Sequence, residues 1–251
     1  MQLDVEVRRV LPVPLLLAAL AFAGPAAARA ELVLTLQLGN AWVAESDLAL
    51  ESGATDLVLR DVVWEDRSFE DPPYYDVRLT WWLPRRPAWG VALDLTHSKA
   101  YLERGQDALA RGRLDGRAVD GVVEVGDVVD GLSFSHGLNT VTLDALRRWQ
   151  TAAPPGRLRE RGIAFYAGAG AGVAVPHVEA TVDGVPTRGY ELAGPALRGL
   201  VGLDVPIDDN IGIVGEAVLS WLDLDVGLAG GGSLRTELLV PQLTFGLTLR
   251  D

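Results

Sequence analysis

The feature of this chain that most constrains its fold is a strict alternation of apolar residues with small or polar ones in its C-terminal part. Two examples are Trp-Gly-Val-Ala-Leu-Asp-Leu-Thr at 89–96 and Pro-Gln-Leu-Thr-Phe-Gly-Leu-Thr-Leu at 241–249. Such alternation predicts β-strands with one apolar and one polar face. Mid-strand positions of the polar face carry charged residues, namely Asp76, Arg78, Asp94, Asp144, Arg198 and Glu216. That face is too hydrophilic for a soluble sandwich core, so the pattern predicts a barrel with a polar lumen and a lipid-facing exterior.

We therefore predict an all-β fold, an eight-stranded antiparallel transmembrane β-barrel of the outer-membrane type. The predicted strands are Leu32–Ala44, Tyr74–Leu83, Trp89–Lys99, Leu138–Trp149, Ile163–Thr181, Tyr190–Pro206, Ile211–Asp225 and Arg235–Arg250. Short connections alternate with longer ones, as periplasmic turns alternate with extracellular loops. Long extracellular loops are expected at 45–73 and 101–137. Within the first, residues 56–66 are either a hairpin of the loop or an extension of the second strand.

The N-terminal residues predict export. Arg8 and Arg9 precede an apolar stretch, and Ala28-Arg29-Ala30 resembles a cleavage site, so residues 1–30 are predicted as a signal peptide and residues 31–251 as the barrel. A membrane anchor is the alternative, but the stretch is shorter than the roughly 20 apolar residues of a spanning helix. We expect the outer membrane of a Gram-negative bacterium. The chain has no cysteine, which excludes disulfides, and its net charge of -12 argues against nucleic acid as a partner.

The predicted lumen of an eight-stranded barrel is filled by side chains, which excludes a general diffusion pore. We expect its two arginines to pair with its four acidic residues, because buried charges must be compensated. Several tryptophans fall near the predicted periplasmic turns, where an aromatic girdle is expected. They are Trp81, Trp82, Trp89 and Trp149.

All three histidines are predicted at the outer rim. His97 ends the third predicted strand, His136 precedes the fourth, and His177 lies near the end of the fifth. Neighbouring strands lie about 4.8 Å apart, so the set spans about 10 Å. Imidazoles at such distances, with carboxylates, bind Zn, Fe, Cu or Mn, although the spacing matches no named metal motif. The candidate carboxylates are Glu179, Glu70 and Asp94.

The parity of the histidines leaves two arrangements open. His97 and His177 share the register of lipid-facing residues, whereas His136 shares that of the lumen. Bulges at Gly137 and Pro176 would turn the rings together. Without bulges, we expect a row of outward polar side chains at headgroup height. This row either contacts a phosphosugar or consists of polar residues at the membrane interface with no further role. That row contains His97, Lys99, His177 and Glu179.

Other candidate motifs are weaker. Ser135 precedes His136 but has no recognisable acidic partner in the sequence. Gly168, Gly170 and Gly172 alternate within one predicted strand, so they leave space in the lumen for larger side chains rather than forming a phosphate loop.

Several rim segments in order resemble the bacterial lipid A oxidase family of outer-membrane proteins. They are Ser68-Phe69-Glu70, Pro72-Pro73-Tyr74-Tyr75, Trp89-Gly90-Val91, Thr96-His97-Ser98-Lys99, His136-Gly137, Asn139, Gly170, Gly172, Pro176-His177-Val178-Glu179 and Gly231-Gly232-Ser233-Leu234. The resemblance implies an enzyme that uses molecular oxygen to convert the proximal glucosamine of lipid A to 2-aminogluconate, releasing hydrogen peroxide. Lipid A, the lipid anchor of lipopolysaccharide, would be the partner.

This activity needs a base and an acceptor for two electrons, and no segment resembles a flavin site, so we expect a divalent or redox metal at the rim. The expected ligands are His97, His136 and His177. Glu179 or Glu70 would be a ligand or the base, and Lys99 and Asn139 would contact the substrate, Lys99 at a phosphate.

Two rival functions remain open. One is a lipid A deacylase, whose histidine is followed two residues later by serine; here His136 is followed by Gly137 and Leu138, so the nucleophile is missing. The other is a non-enzymatic structural or adhesion barrel.

Overall fold

The computed structural model of the protein describes residues 30–152 and 161–251, so almost all of the predicted signal peptide lies outside the described residues. The regular secondary structure of the described residues consists almost entirely of β-strands. They are β1 (Glu31–Ala41), β2 (Ser46–Ser52), β3 (Thr55–Val62), β4 (Trp64–Glu65), β5 (Tyr75–Leu83), β6 (Arg86–Ser98), β7 (Tyr101–Leu102), β8 (Asp107–Leu114), β9 (Arg117–Glu124), β10 (Gly131–Ser133), β11 (Leu138–Gln150), β12 (Ala164–Ala174), β13 (His177–Val182), β14 (Val185–Tyr190), β15 (Gly194–Pro206), β16 (Ile211–Gly227) and β17 (Ser233–Arg250). A 3₁₀ helix covers Val125–Asp127. Among the described residues, no helix has the length and hydropathy needed to cross a membrane.

Eight of these strands form a closed antiparallel ring, which confirms the predicted barrel. The strands follow one another in the order β1-β5-β6-β11-β12-β15-β16-β17, and β17 pairs back onto β1, with Val33 opposite Arg250. The β5–β6, β11–β12 and β15–β16 connections share one end with Glu31 and Asp251; we call it the turn end. The four remaining connections lie at the opposite end, which we call the cap end.

The barrel wall follows the predicted alternation. On β6 and β11, Leu93 and Leu143 point outward and are 55% and 62% exposed, whereas Asp94 and Asp144 point into the lumen and are 1% exposed. This apolar exterior is that of a barrel whose surrounding solvent is lipid. Trp81, Trp89 and Trp149 are exposed near the turn end, as predicted for a girdle. Trp82 is an exception, because it points inward and packs in an apolar cluster of the lumen.

The lumen charges form two ion-paired groups, as predicted. Arg78 donates to both oxygens of Glu216, and the Tyr166 hydroxyl donates to the same carboxylate. Arg198 lies among three aspartates, in contact with Asp94 and at 3.5 Å from Asp76 and 3.8 Å from Asp144. All six charged side chains are almost fully buried. Burial without these partners would cost several kcal/mol per charge, so the pairing explains how a filled, polar lumen is stable.

Glycines of β12 leave room for the lumen side chains. A Cβ at Gly170 would lie 1.8 Å from the Asp144 carboxylate, and a Cβ at Gly168 would lie 2.2 Å from Leu146. The predicted space is therefore filled, mainly by β11. Tyr166 occupies space left by Gly202 on β15, where a Cβ would lie 2.3 Å from its ring.

The segments predicted as long extracellular loops, 45–73 and 101–137, are not irregular. Strands β2, β3, β8 and β9 extend the sheet beyond β17, and a second sheet has the order β14-β13-β10-β7-β4. Their buried side chains form a continuous apolar cluster together with the ends of β16 and β17. We call this two-sheet structure the cap. Strand β3 forms a hairpin with β2, so the alternative in which residues 56–66 are a loop hairpin is correct.

Two predicted barrel strands are too long. The fifth, Ile163–Thr181, leaves the ring at Ala174, and the sixth, Tyr190–Pro206, joins it only at Gly194. Pro176 has no backbone N–H and interrupts the ladder. The His177 N–H instead donates to the Gly137 carbonyl, and the chain continues as β13 in the cap.

Candidate functional site

The structure brings His136, His177 and Glu179 together at the junction between the barrel and the cap. One ligand atom from each side chain lies within 4.8 Å of those of the other two. The His136 and His177 rings meet edge to face with centroids 4.9 Å apart, and His136 Nδ1 lies 3.7 Å from Glu179 Oε1. We call these three residues the rim cluster.

Local sequence explains the rim cluster. Along β13, Val178, Ala180 and Val182 are buried in the core of the cap, so His177 and Glu179 share the opposite face. The backbone of Gly137, at φ +125°, turns the chain between His136 and β11, a conformation that favours glycine. The positive φ of Gly137 and the end of β12 at Ala174, just before Pro176, accompany an arrangement in which two of the three histidines lie side by side.

Ser135 extends the rim cluster and was underestimated by sequence analysis. Its hydroxyl lies 3.0 Å from His136 Nδ1 and donates to Glu179 Oε2 at 3.0 Å. Glu179 is therefore the acidic partner that the sequence did not reveal. Its other oxygen pairs with Arg188 Nε at 3.1 Å, a contact made possible because β13 and β14 place residues 179 and 188 opposite each other.

The state of His177 suits a metal ligand. Its ring packs against Tyr190 at a centroid distance of 4.8 Å, and its Nδ1 is buried without a hydrogen-bond partner among the described residues. Partial burial, together with the neighbouring His136, lowers the pKa of His177. A lowered pKa favours the neutral imidazole, which is the form that coordinates metals.

The donor set fits a metal ion. Two imidazoles and one carboxylate are a ligand set found in catalytic zinc sites and in non-haem iron sites, both of which keep positions open for substrate. Metal–ligand bonds are about 2.0–2.2 Å long, so side-chain movements of about 1 Å would close the cluster around one ion.

His97, predicted as a third ligand, lies outside the rim cluster. Its side chain is buried, and its ring stacks on Tyr75 at 4.7 Å with an interplanar angle of 4°. Its Nδ1 is 2.8 Å from Asn139 Oδ1. Because the amide nitrogen of Asn139 faces the carbonyls of Gly137 and Val175, its oxygen must accept from His97. This pairing fixes the His97 tautomer and the backbone on both sides of the rim cluster.

Lys99 and Glu70 also differ from the predicted substrate-facing arrangement. Lys99 is 2% exposed, and its Nζ donates to the backbone carbonyls of Glu70 and Asp71 at 3.1 Å each. This contact secures the 70–71 backbone instead of presenting the amine to a phosphate. The Glu70 carboxylate is exposed and lies 3.7 Å from Arg67. Burial of His97 and Lys99 also removes the predicted outward polar row, since only His177 and Glu179 of that row remain at the surface.

Comparisons with known proteins yield distant structural neighbours. No family model and no curated protein sequence matches the chain. OprG from Pseudomonas aeruginosa, an outer membrane protein, is 12% identical with a TM-score of 0.44, covering 88% of this chain and 96% of its own. Ail, the attachment invasion locus protein of Yersinia pestis, is 11% identical with a TM-score of 0.37, covering 89% and 99%. Neisserial surface protein A is 10% identical with a TM-score of 0.36, covering 86% and 96%. At these similarities, the eight-stranded assignment rests on the strand pairing of this chain itself.

Proposed function

We propose that this protein is an outer-membrane enzyme of a Gram-negative bacterium that oxidises the proximal glucosamine of lipid A to 2-aminogluconate with molecular oxygen. The observation that carries the proposal is the rim cluster, two histidines and a glutamate at the cap end of a lipid-facing wall. If the turn end is periplasmic, this end meets the outer leaflet, where lipid A resides. The resemblance of the rim segments to lipid A oxidases supplies the reaction.

The chemistry is a two-electron oxidation. The anomeric carbon of the hemiacetal loses a hydrogen atom with its two bonding electrons, and the anomeric hydroxyl loses a proton, which leaves a lactone. Molecular oxygen takes up the two electrons and two protons and becomes hydrogen peroxide. Hydrolysis of the lactone gives the 2-aminogluconate, so lipid A gains one oxygen atom overall. A metal held by His136, His177 and Glu179 would supply the electron-transfer chemistry.

Mass spectrometry of lipid A tests this proposal. The protein, loaded with Fe²⁺, Cu²⁺, Mn²⁺ or Zn²⁺ in separate reactions, is incubated in air with lipid A that has a free anomeric hydroxyl. We expect a gain of one oxygen with at least one metal, and none with lipid A whose anomeric position is phosphorylated, because no hemiacetal is then available. His136→Ala, His177→Ala and Glu179→Gln should each lower the rate at least tenfold, whereas the exposed Glu124→Gln should not. Oxidation at an undiminished rate in all three variants would refute the assignment.

A second candidate, hydrolysis of an acyl ester, is favoured by the Ser135 contacts. Ser135 Oγ would attack the acyl carbonyl while His136 takes its proton, the sugar oxygen would leave with that proton, and water would then release the fatty acid. The sequence disfavours a deacylase because the serine that should follow the histidine is missing; the contacts of Ser135 with His136 and Glu179 support a serine on the other side of the histidine in that role.

The same incubation separates the candidates. Hydrolysis removes one acyl chain from lipid A and does not require molecular oxygen. Ser135→Ala should abolish this hydrolysis and leave a metal-dependent gain of oxygen unchanged. If lipid A stays unchanged with every metal and also without added metal, both enzymatic functions fail, and the non-enzymatic structural or adhesion role takes their place.

A further inference from the structure

At the opposite, turn end of the barrel, an arginine is held between two tryptophans on the lipid-facing wall. The guanidinium of Arg147 lies 5.4 Å from the ring centroid of Trp89 and 5.2 Å from that of Trp149. Arg147 is directly opposite Trp89 on β6, and Trp149 follows two residues later on the same face of β11. Trp89 and Trp149 are 44% and 49% exposed, so all three side chains face the membrane boundary.

The adjacent β5–β6 turn adds positive charge. Arg85 lies in this turn and Arg86 begins β6, and both are exposed; Arg148 Nε donates to the Pro87 carbonyl, which ties the start of β6 to the end of β11. Within the part of the chain that the structure describes, Arg85, Arg86 and Arg147 form no ion pair with a carboxylate, whereas Arg148 pairs with Glu31 at 2.6 Å. We call Arg85, Arg86, Arg147, Trp89 and Trp149 the turn-end patch.

The charge of this patch is opposite to that of the whole chain. The net charge of the chain is -12, so the protein as a whole is repelled by anionic lipids. At the cap end, the outward residues Asp223 and Glu237 face each other across β16 and β17, which makes that part of the rim acidic. The turn end therefore carries a local cluster of arginines that have no carboxylate partner among residues 30–152 and 161–251.

We propose that the turn-end patch binds the phosphate of an anionic phospholipid in the leaflet at that end of the barrel. Tryptophan rings settle at headgroup height, which sets the depth of Arg147 at the level of the lipid phosphates. Cation–π contact on both sides orients the guanidinium, and its planar fork of N–H donors matches a phosphate. Arg85 and Arg86 supply the further charge that distinguishes an anionic headgroup from a zwitterionic one.

Native mass spectrometry of the folded full-length barrel in detergent, with phosphatidylglycerol or phosphatidylcholine added, tests this site. The variant Arg86→Gln/Arg147→Gln removes two charges of the patch. The matched control Arg113→Gln/Arg117→Gln removes two exposed arginines of the β8–β9 hairpin in the cap. We expect the first variant to bind phosphatidylglycerol more weakly by about fivefold or more, with phosphatidylcholine binding unchanged and the control equal to the native protein.

Two results would overturn the proposal. One is undiminished phosphatidylglycerol binding by Arg86→Gln/Arg147→Gln, and the other is an equal loss in the control variant, which would indicate a general effect of charge. The slower electrophoretic migration of heat-unfolded barrel in detergent gels verifies that each variant is folded. Because the patch lies at the far end from the rim cluster, this outcome is independent of lipid A chemistry.

Discussion

Replacing Arg198 with methionine tests whether the lumen is stabilised by charge pairing. Methionine keeps much of the length of the side chain and removes its charge, which leaves three aspartates without their shared partner. Arg198 contacts Asp94 and lies within 3.8 Å of Asp76 and Asp144, and its side chain is 2% exposed. The substitution therefore isolates the contribution of one buried cation.

Removal of one partner of a buried ion pair costs about 3–5 kcal/mol, because the remaining charge is left desolvated and unpaired. Three carboxylates depend on Arg198, so the upper part of that range applies. The control is Arg111→Gln on the cap, whose pair with Asp120 is 60% and 76% exposed and contributes at most about 1 kcal/mol. With a urea m-value of about 1–3 kcal/mol per molar, Arg198→Met should lower the unfolding midpoint by at least about 1 M.

The assay is reversible unfolding in urea in the presence of lipid vesicles, monitored by tryptophan fluorescence. The double variant Arg198→Met/Asp94→Asn should recover part of the loss, because it removes one of the uncompensated carboxylates. If Arg198→Met unfolds at the same urea concentration as Arg111→Gln, the lumen charges do not require each other, and the argument that pairing stabilises the filled, polar lumen is refuted.

Two further substitutions probe the wall and the site. Gly170→Ala places a methyl group against the Asp144 carboxylate and should destabilise the barrel by about 1–3 kcal/mol in the same assay. The control Gly199→Ala has no atom within 4 Å of its new Cβ and should be tolerated. Asn139→Leu removes the hydrogen-bond acceptor of His97 and the contacts with the Gly137 and Val175 carbonyls, and should weaken Co²⁺ binding by about 10–100-fold. Asn139→Asp retains the acceptor and should lose less Co²⁺ affinity. Isothermal titration calorimetry measures the affinity of both variants.

The barrel was predictable because its signal is repeated in every strand. Each wall strand has a period of two, and a shift of one residue would expose the lumen charges to lipid, so the side of the wall on which each residue lies follows from sequence. The pairing of Arg78 and Arg198 with acidic residues could be predicted for the same reason, since the lumen offers no other solvation. Which acid each arginine contacts depends on the stagger of the strands, and alternation alone does not determine the stagger.

The cap was not predicted, although part of its signal is present. Leu48 and Leu50 on β2, and Leu57 and Leu59 on β3, alternate around a short turn and are all buried. A membrane barrel already assigns apolar alternation to the lipid-facing wall, so the same pattern outside the eight strands was attributed to loops. Burial of these leucines requires the second sheet, whose strands are only two to six residues long, too short for most of them to show a periodicity.

The candidate site shows the same division between local and tertiary information. Counting along the strands places His136, His177 and Glu179 at one end of the barrel. Strand alternation alone, however, puts His136 on the lumen side and His177 and Glu179 on the lipid side. What joins them is the exit of the chain from the barrel at Pro176, after which β13 follows the register of the cap. In that register Val178 and Ala180 enter the core, so His177 and Glu179 must face outward. The cap therefore aligns the rim cluster, and a barrel with short loops could not present these side chains together.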